Sequence, residues 1–305
     1  MNRRHFVWKL KNRELLAGER TLIMGVLNVT PDSFSDGGKY LDPDRAFARA
    51  IELEEEGADI LDIGAESTRP GSSRISEAEE LRRLIPVLKR LHGKLSIPIS
   101  ADTYKSAVAE KALEHGAEII NDPSGLTFDA QLARVTASHD AALILNHMRG
   151  TPETWAKLPP LKDAIGSIRH DLDASVHRAV HAGVDRARIA IDPGLGFGKR
   201  KEQNAEILAR LGDLAGLDLP ILVGASRKSF LADLNKSLET SIEYATAAAV
   251  TAAILAGAHI VRVHDVAAMK LVAQVSDQIL SSAGTSDSNE YHAGPPRSGG
   301  SPFRR

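Results

Sequence analysis

The chain has 305 residues, of which 43% are apolar, and its formal net charge is -2. The near balance of basic and acidic residues excludes the positive field that draws proteins to nucleic acid or anionic membranes, and the absence of cysteine excludes disulfides, thiolate nucleophiles and cysteine-ligated metals. Because no apolar run reaches the roughly 18 residues of a membrane span and the basic N-terminus has no apolar signal core, we expect a cytoplasmic protein that binds neither membrane nor nucleic acid.

Residues 1–21 predict a β-hairpin, since Phe6, Trp8 and Leu10 alternate as in a half-buried strand and 16–19 has the composition of a turn. From Leu22 onward, short apolar segments alternate with helical patterns. Strands are predicted at Leu22–Val29, Ile60–Ala65, Ile97–Asp102, Glu118–Asp122, Ala141–His147, Ile189–Asp192, Ile221–Gly224 and Ile260–Val263. Helices are predicted at Asp44–Glu56, Ser76–His92 (with a capping box from Ser76 to Glu79), Tyr104–His115, Leu161–His181, Lys201–Leu211 and Glu239–Ala256.

Eight apolar strands that alternate with helices predict an α/β fold of the (β/α)8 TIM-barrel class, with the hairpin of residues 1–21 capping the bottom of the barrel. A doubly wound open sheet is the alternative, but the first strand leads into Asn28 to Pro31 rather than into a glycine-rich phosphate turn. We assign the barrel to residues 22–282. The polar, proline- and glycine-containing segment 283–305 is predicted to be disordered.

Polar or ionisable residues follow all eight predicted strands, where the active site of such a barrel lies. These residues are Asn28, Glu66 to Gly71, Asp102, Asn121 and Asp122, His147 and Met148, Asp192, Ser226 to Ser229, and Arg262 with His264 and Asp265. A barrel with a purely structural role does not require such a ring, so we interpret it as a binding or catalytic site.

Asp102, Asn121 and Asp192 predict the recognition of a flat heterocycle. A buried carboxylate needs a partner, and two of them accept well from the paired N–H groups of an amidine-like ring, while Asn121 both donates and accepts. The alternative is that both carboxylates form supporting salt bridges. In the glycine-rich loop 192–199, Phe197 either covers the ring or belongs to the core.

A second set of residues predicts an anion site. Segment 226–229 is expected to open a helix, where N–H groups attract anions, and Lys228 is placed to bridge a ring carbonyl and an anion. Two cations, Arg262 and His264, point the same way on the last strand and form a phosphate or pyrophosphate clamp with Asn28, Thr68 and Arg69. Arg262 as a surface ion pair is the alternative. Mg²⁺ held by Asn28 and substrate phosphates fits this set.

Eight segments of the sequence resemble the dihydropteroate synthase family. They are Gly25–Gly38, Asp62–Gly71, Ser100–Thr103, Ile120–Asp122, His147–Pro152, Asp192–Lys199, Gly224–Ser229 and Arg262–Val266. The segments follow the family's order across residues 22–280. Pro123 is a departure, since a small aliphatic residue is expected there.

The resemblance implies a TIM barrel that condenses 6-hydroxymethyl-7,8-dihydropterin pyrophosphate with p-aminobenzoate in folate biosynthesis. It implies that the pterin is bound by Asp102, Asn121, Asp192 and Lys228, with Met148 and Phe197 lining its pocket. It implies a pyrophosphate and Mg²⁺ site formed by Asn28, Thr68, Arg262 and His264, in which Asn28 meets the metal. It implies a p-aminobenzoate pocket formed by Phe34, Arg69, Pro70, Lys228 and Ser229, closed by loops 31–38 and 67–74.

Arg262, His264, Lys228 and Asn28 are the expected catalytic residues, which act by stabilising a departing pyrophosphate in a dissociative substitution. A homodimer and inhibition by sulfonamides are also implied. Two alternatives remain: a pterin-dependent methyltransferase domain, which has no use for the anion site, and a non-catalytic pterin-binding paralogue, for which a degraded motif would be expected.

Overall fold

The fold is built on an eight-stranded parallel sheet that closes into a barrel. The computed structural model describes residues 3–30, 43–67, 69, 71–232 and 241–284. The strands are β1 Phe6–Lys9, β2 Glu14–Ala17, β3 Leu22–Asn28, β4 Ile60–Gly64, β5 Ile99–Asp102, β6 Ile119–Asp122, β7 Ala142–Asn146, β8 Ile189–Asp192, β9 Leu222–Val223 and β10 Ile260–Val263. The helices are α1 Pro43–Glu55, α2 Glu77–Leu91, α3 Ser106–Glu114, α4 Leu132–Ser138, α5 Ala164–His181, α6 Lys201–Ala209, α7 Ser229–Ala232, α8 Ser241–Leu255 and α9 Val266–Gly284.

The order of the strands, β8-β7-β6-β5-β4-β3-β10-β9, and a parallel bridge between Ile191 and Ile221 complete the ring. The predicted TIM barrel is therefore confirmed, and each of the eight predicted strands coincides with an observed one. Helices α4 and α9 were not predicted. In the described part of the chain, no helix is long and apolar enough to cross a membrane.

The predicted hairpin is present, but the prediction placed its turn wrongly. β1 pairs antiparallel with β2 so that Phe6 lies opposite Ala17, and the turn spans 10–13, where the Leu10 N–H bonds to the Arg13 carbonyl at 2.8 Å. This register buries Trp8 and Ala17 against the start of the barrel, and burial of the large indole outweighs the turn preference of Gly18. The indole N–H of Trp8 donates to the carbonyl of Arg188 at 2.9 Å.

Inside the barrel, an apolar layer near the start of the strands lies directly below a polar layer near their ends. Ile60, Ile119, Ala190 and Ile260 are fully buried members of one cluster with Trp8. Because side chains two residues apart on a strand face the same side, the next inward residues are Asp62, Asn121, Asp192 and Arg262. The period of the strand therefore places these polar groups on a closed apolar floor.

The predicted N-terminal cap of α2 is present, but its capping box is incomplete. Ser76 caps α2, since its Oγ accepts from the N–H of Glu79 at 3.2 Å. The reciprocal half of the predicted capping box is absent, because the Glu79 carboxylate bonds to Arg82 and Arg83 instead.

Helix α9 ends two residues inside the predicted tail, and 285–305 lie outside the described residues. The proposed division into domains stays a prediction.

Candidate active site

Arg262 lies at the centre of the polar layer and binds two carboxylates. Its Nε donates to Asp62 Oδ2 at 2.6 Å and its Nη2 donates to Asp102 Oδ2 at 2.8 Å. Asp62 is fully buried, and the side chain of Arg262 is 20% exposed. Such charge-assisted bonds are short and strong. The interpretation of Arg262 as a surface ion pair is therefore wrong, and its guanidinium lies in the mouth of the barrel.

Asp102 and Asn121 stand next to each other at the ends of β5 and β6, since they are partners in the parallel register. The side-chain amide of Asn121 donates to Asp62 Oδ2 at 3.2 Å. Burial raises the pKa of Asp102 to about 7, with Arg262 opposing the shift and Asp62 adding to it. A ligand that donates N–H groups to this carboxylate would stabilise its ionised form and lower its pKa again.

Asp192 and Lys228 lie on the far side of Arg262. Asp192 is buried, and its Oδ1 accepts from the Gly194 N–H at 2.7 Å. Burial raises the pKa of Asp192. Burial lowers the pKa of Lys228 to about 8, an effect that the charge of Arg262 increases and the carboxylates of Asp192 and Asp102 oppose. The polar layer thus collects three carboxylates, Asp62, Asp102 and Asp192, around the two basic groups Arg262 and Lys228.

Phe197 lies at the edge of this mouth. The ammonium of Lys228 is 4.1 Å from the centre of its ring, a cation–π contact, and the ring packs edge-on against Trp155 with centroids 5.2 Å apart. Phe197 is half-buried. The alternative prediction, that Phe197 is a core residue, is therefore wrong, because the ring is half-buried and contacts the Lys228 ammonium.

His264 is tied to the loop that precedes α7. Its Nδ1 is 2.9 Å from Ser226 Oγ. Its pKa is lowered to about 3 by burial, together with the positive charges of Arg262, Arg227, Lys228 and Arg69. The imidazole is therefore neutral at pH 7, and the prediction of two cations on the last strand is wrong for His264. As a neutral ring, it still offers hydrogen bonds to an anion.

Asn28 is half-buried at the end of β3, in register with Gly64 on β4, which is in turn in register with Asp102 on β5. A Cβ atom on Gly64 would lie 3.6 Å from Asn28 Oδ1 and 3.5 Å from Asp102 Oδ2. Both oxygens therefore border the space beside Gly64, and Asn28 Oδ1 is an oxygen of the kind that Mg²⁺ prefers. No group of three or more His, Asp or Glu side chains with metal-binding spacing occurs in the described ranges, so a metal here would depend on oxygens from a substrate.

The remaining predicted residues are distributed as follows. Met148 is half-buried after β7, and Ser229 is exposed as the first residue of α7. Arg69 is half-buried, and its positive charge contributes to the lowered pKa of His264. Three predicted positions, Phe34, Thr68 and Pro70, lie outside the described residues, as does loop 31–38.

Two residues at predicted strand ends serve the scaffold. The carboxylate of Asp122 accepts from the backbone and hydroxyl of Ser124, at 2.8 and 2.7 Å, and from the Leu126 N–H at 2.6 Å. His147 Nε2 lies 3.1 Å from Asp171 Oδ2. Both are buried and neither joins the group around Arg262. The predicted ring of polar residues is therefore only partly a site.

Two features of the site were not predicted. The first is Asp62, which the two-residue period from Ile60 could have revealed. The second is an ionic cluster around Lys105. In this cluster Glu66 accepts from the Tyr104 hydroxyl at 2.8 Å and from the Lys105 ammonium at 2.5 Å, and Lys105 also binds the buried Glu80. No local sequence signal marks this cluster, because its members come from three separate elements.

Comparison with known proteins gives consistent matches. The family model for pterin binding enzymes matches residues 24–264. The dihydropteroate synthase of Synechocystis is 45% identical over 263 residues, which cover 86% of this chain and 91% of the relative, and that of Bacillus subtilis is 44% identical and covers 87% and 91%.

Solved structures with the same architecture carry ligands. The dihydropteroate synthase of Clostridium difficile, crystallised in the presence of pteroic acid, has a TM-score of 0.80 and 44% identity, covering 86% of this chain and 98% of that one. The Yersinia pestis dihydropteroate synthase in a sulfonamide drug complex has a TM-score of 0.85 and 35% identity, covering 92% and 100%. The Xanthomonas albilineans enzyme with 4-aminobenzoic acid has a TM-score of 0.82 and 38% identity, covering 90% and 98%.

Proposed function

We infer the activity from the family: the chain belongs to the pterin binding enzymes and carries out the dihydropteroate synthase reaction of the relatives that it matches over most of both lengths. The reaction joins 6-hydroxymethyl-7,8-dihydropterin pyrophosphate to p-aminobenzoate and releases pyrophosphate. The observation that carries this inference is the convergence of Asp102, Asn121, Asp192 and Lys228 around Arg262 in a barrel of that family.

The proposed pterin site uses the two raised-pKa carboxyls. Asp102 and Asp192 receive N–H groups of the pterin, and Asn121, held by Asp62, presents its carbonyl oxygen and one free N–H to the ring. Lys228 donates to a ring acceptor. Loss of solvent around these groups strengthens each bond, so a ligand that completes the pattern gains more than one that leaves a carboxylate unpaired.

The proposed pyrophosphate site uses Arg262, the neutral imidazole of His264 and the N–H groups that open α7. Mg²⁺, held by Asn28 and by phosphate oxygens, would neutralise charge on the leaving group. The aniline nitrogen of p-aminobenzoate is a weak nucleophile, and the two groups of the mouth with pKa values near neutrality, Asp102 and Lys228, are assigned here to the pterin. The protein therefore promotes departure of pyrophosphate, through donors placed where negative charge develops.

In this dissociative substitution, the C–O bond to pyrophosphate breaks with its electron pair on the leaving oxygen. The dihydropterin carries the resulting cation, which the carboxylates of Asp102 and Asp192 stabilise. The aniline nitrogen then bonds to the methylene carbon and loses one proton to solvent. Arg69 and Ser229 are proposed to hold the p-aminobenzoate carboxylate, together with residues outside the described ranges.

The decisive experiment is pyrophosphate release by purified protein given dihydropterin pyrophosphate and Mg²⁺, with and without p-aminobenzoate. Release that depends on p-aminobenzoate, with a pteroate product identified by mass, is the expected result. Release without it would indicate that water captures the pterin cation. Pterin binding with no release at all would favour the non-catalytic alternative.

Sulfonamides are proposed to compete with p-aminobenzoate, because the Yersinia pestis relative was solved with such a drug. Sulfamethoxazole is then expected to raise the apparent KM for p-aminobenzoate and leave kcat unchanged. A fall in kcat with an unaltered KM would contradict competition at this site.

A homodimer is proposed from an apolar stripe on α9. Leu271, Val275 and Ile279 are spaced by four residues, face one side of the helix and are 65%, 58% and 50% exposed. On the neighbouring α8, Tyr244 is 68% exposed. Light scattering of the purified protein is expected to give twice the chain mass, and Val275→Glu is expected to give the chain mass itself. A cytoplasmic location stays a prediction.

A further inference from the structure

A buried lysine lies behind the loop that follows Asp192. Lys199 is 8% exposed, and its Nζ donates to the carbonyls of His147 and Gly194, each at 2.6 Å. These two carbonyls follow β7 and β8, which pair in parallel with Asn146 opposite Asp192. Lys199 therefore joins the loops that leave two neighbouring strands at the mouth of the barrel.

Both bonds are available whatever the charge of Lys199. Burial lowers the pKa of Lys199 well below its usual value, and the carboxylate of Asp192 opposes this shift. The ammonium form carries three N–H groups and the neutral amine carries two, so either form has a donor for each carbonyl. The bonds therefore depend on the position of Nζ and not on its charge.

Gly194 connects this lysine to Asp192. The N–H of Gly194 donates to Asp192 Oδ1 at 2.7 Å, and its carbonyl accepts from Lys199 Nζ and, at 3.1 Å, from the Phe197 N–H. The N–H and the carbonyl flank a single Cα with a φ of +67°, so the dihedral angles of one residue direct both groups. A Cβ at this position would lie 2.0 Å from the His147 carbonyl oxygen and 2.9 Å from Lys199 Nζ. Only glycine allows the backbone to approach the lysine so closely.

The bond from Gly194 fixes the rotation of the Asp192 carboxylate. Asp192 is buried, and its Oδ1 is turned toward Gly194. Its Oδ2 lies 3.9 Å from the position that a Cβ on Gly224 would take, and that position is 3.8 Å from Arg262 Cβ. Among the described residues, Oδ2 has no hydrogen-bond partner. It therefore faces the polar layer around Arg262, where the proposed pterin binds.

We propose that Lys199 is a positioning residue for pterin recognition, which acts through Gly194 to direct Asp192 Oδ2 toward the ligand. This inference rests on the proposed function. A carboxylate whose rotation is fixed before the ligand arrives loses less conformational freedom on binding, so it binds the N–H groups of the ligand more tightly. Lys199 donates only to backbone carbonyls, so its effect on the pterin passes through Gly194 and Asp192.

Lys199→Met tests the proposal, because it keeps much of the side-chain volume and removes both donors. At pH 8, the calorimetric Kd of 6-hydroxymethylpterin is expected to rise about tenfold, the equivalent of one charge-assisted hydrogen bond. The Kd of inorganic pyrophosphate at fixed Mg²⁺ and the KM for p-aminobenzoate are expected to stay within about twofold, since Lys199 bonds to none of the groups proposed for these ligands. A general loss of structure would weaken all three.

Arg3→Met is the matched control. The side chain of Arg3 is 3% exposed, and its guanidinium donates to the carbonyls of Gly18 and Ala258 at the opposite end of the barrel. The variant thus removes a second buried cation that holds two backbone carbonyls. It is expected to lower the Tm and to leave the Kd of the pterin unchanged.

A double-mutant cycle shows whether Lys199 acts through Asp192. In the Asp192→Asn background, Lys199→Met is expected to change the Kd of the pterin by less than about twofold, because the carboxylate to be positioned is already absent. If Lys199→Met does not fold, Lys199→Gln replaces it. The amide nitrogen of that variant lies one bond closer to the backbone and cannot reach both carbonyls, so the Kd is expected to rise about threefold.

Equal pterin affinity in the wild type and in folded Lys199→Met or Lys199→Gln would overturn the proposal, and so would an undiminished loss in the Asp192→Asn background. Pteroate formation by the wild type is assayed in parallel. Pteroate with no pterin-specific loss in the variants refutes the positioning role alone, whereas no pteroate from a wild-type protein that binds pterin refutes the proposed function.

Discussion

Replacement of Asp102 by asparagine should stabilise the fold while it abolishes pterin binding. Asp62 and Asp102 both bind the guanidinium of Arg262. With both carboxylates ionised, these three side chains carry a net charge of minus one. The neutral amide of the Asp102→Asn variant removes this net charge and leaves Arg262 paired with Asp62. The usual cost of breaking a buried ion pair, an uncompensated charge, is therefore avoided.

The magnitude follows from the pKa of Asp102, which burial raises from 3.8 to about 7. A carboxyl whose pKa is raised on folding favours the folded state in its protonated form, so its ionisation lowers stability progressively from pH 3.8 up to about 7. At about 1.4 kcal/mol per pKa unit, the upper bound of the gain is about 4 kcal/mol at pH 8 and about 1.6 kcal/mol at pH 5. Partial exposure of the side chain reduces both values, but the decline of the gain toward acid pH remains.

The assay is urea unfolding of wild type and Asp102→Asn at pH 8 and pH 5. Asp122→Asn is the control. It removes a fully buried carboxylate that accepts three hydrogen bonds. Burial raises the pKa of Asp122 to about 6, but the nitrogen of an asparagine amide cannot accept a hydrogen bond, so a buried donor is left unpaired and the variant is expected to be destabilised by about 1–3 kcal/mol. The reasoning is refuted if Asp102→Asn is less stable than wild type at pH 8, or if its gain does not shrink at pH 5.

Three further predictions concern binding and catalysis. Affinity for 6-hydroxymethylpterin should fall by up to tenfold per pH unit below about 7, because binding requires ionised Asp102; calorimetric affinities that do not change between pH 5 and 8 would contradict this. Glu66 lies three residues before Arg69, a proposed contact of p-aminobenzoate, and Glu66→Gln weakens the bonds that Glu66 accepts from the Lys105 ammonium and the Ile75 N–H. The KM for p-aminobenzoate should therefore rise about fivefold while that for the pterin substrate is unchanged; an equal rise in both would indicate a general loss of structure. Arg262→Ala should lower kcat by about 10²–10³, whereas Arg210→Ala, which removes an exposed arginine at the end of α6, should not; unchanged turnover in Arg262→Ala would remove Arg262 from the chemical step.

Much of the site was accessible from the sequence because strands have a fixed period. Asn121, Asp192 and Arg262 each stand at the end of an apolar run, and parallel strands bring such ends to one rim. The same period would have identified Asp62, which lies two residues after Ile60, had the interior of the strand been considered as well as its end. Local pattern also located the hairpin but not its turn, since burial of Trp8 selected the register.

The sequence by itself determined the alternation of strands and helices, and with it the barrel and the rim on which polar residues collect. Only the tertiary structure decided which polar groups meet. Arg262 and Asp62 are 200 residues apart, and closure of the ring between β3 and β10 brings them together. The neutral state of His264 is likewise set by burial and by charges from distant elements. Periodicity depends on neighbours along the chain, whereas pairing, burial and pKa depend on neighbours in space, which no local pattern specifies.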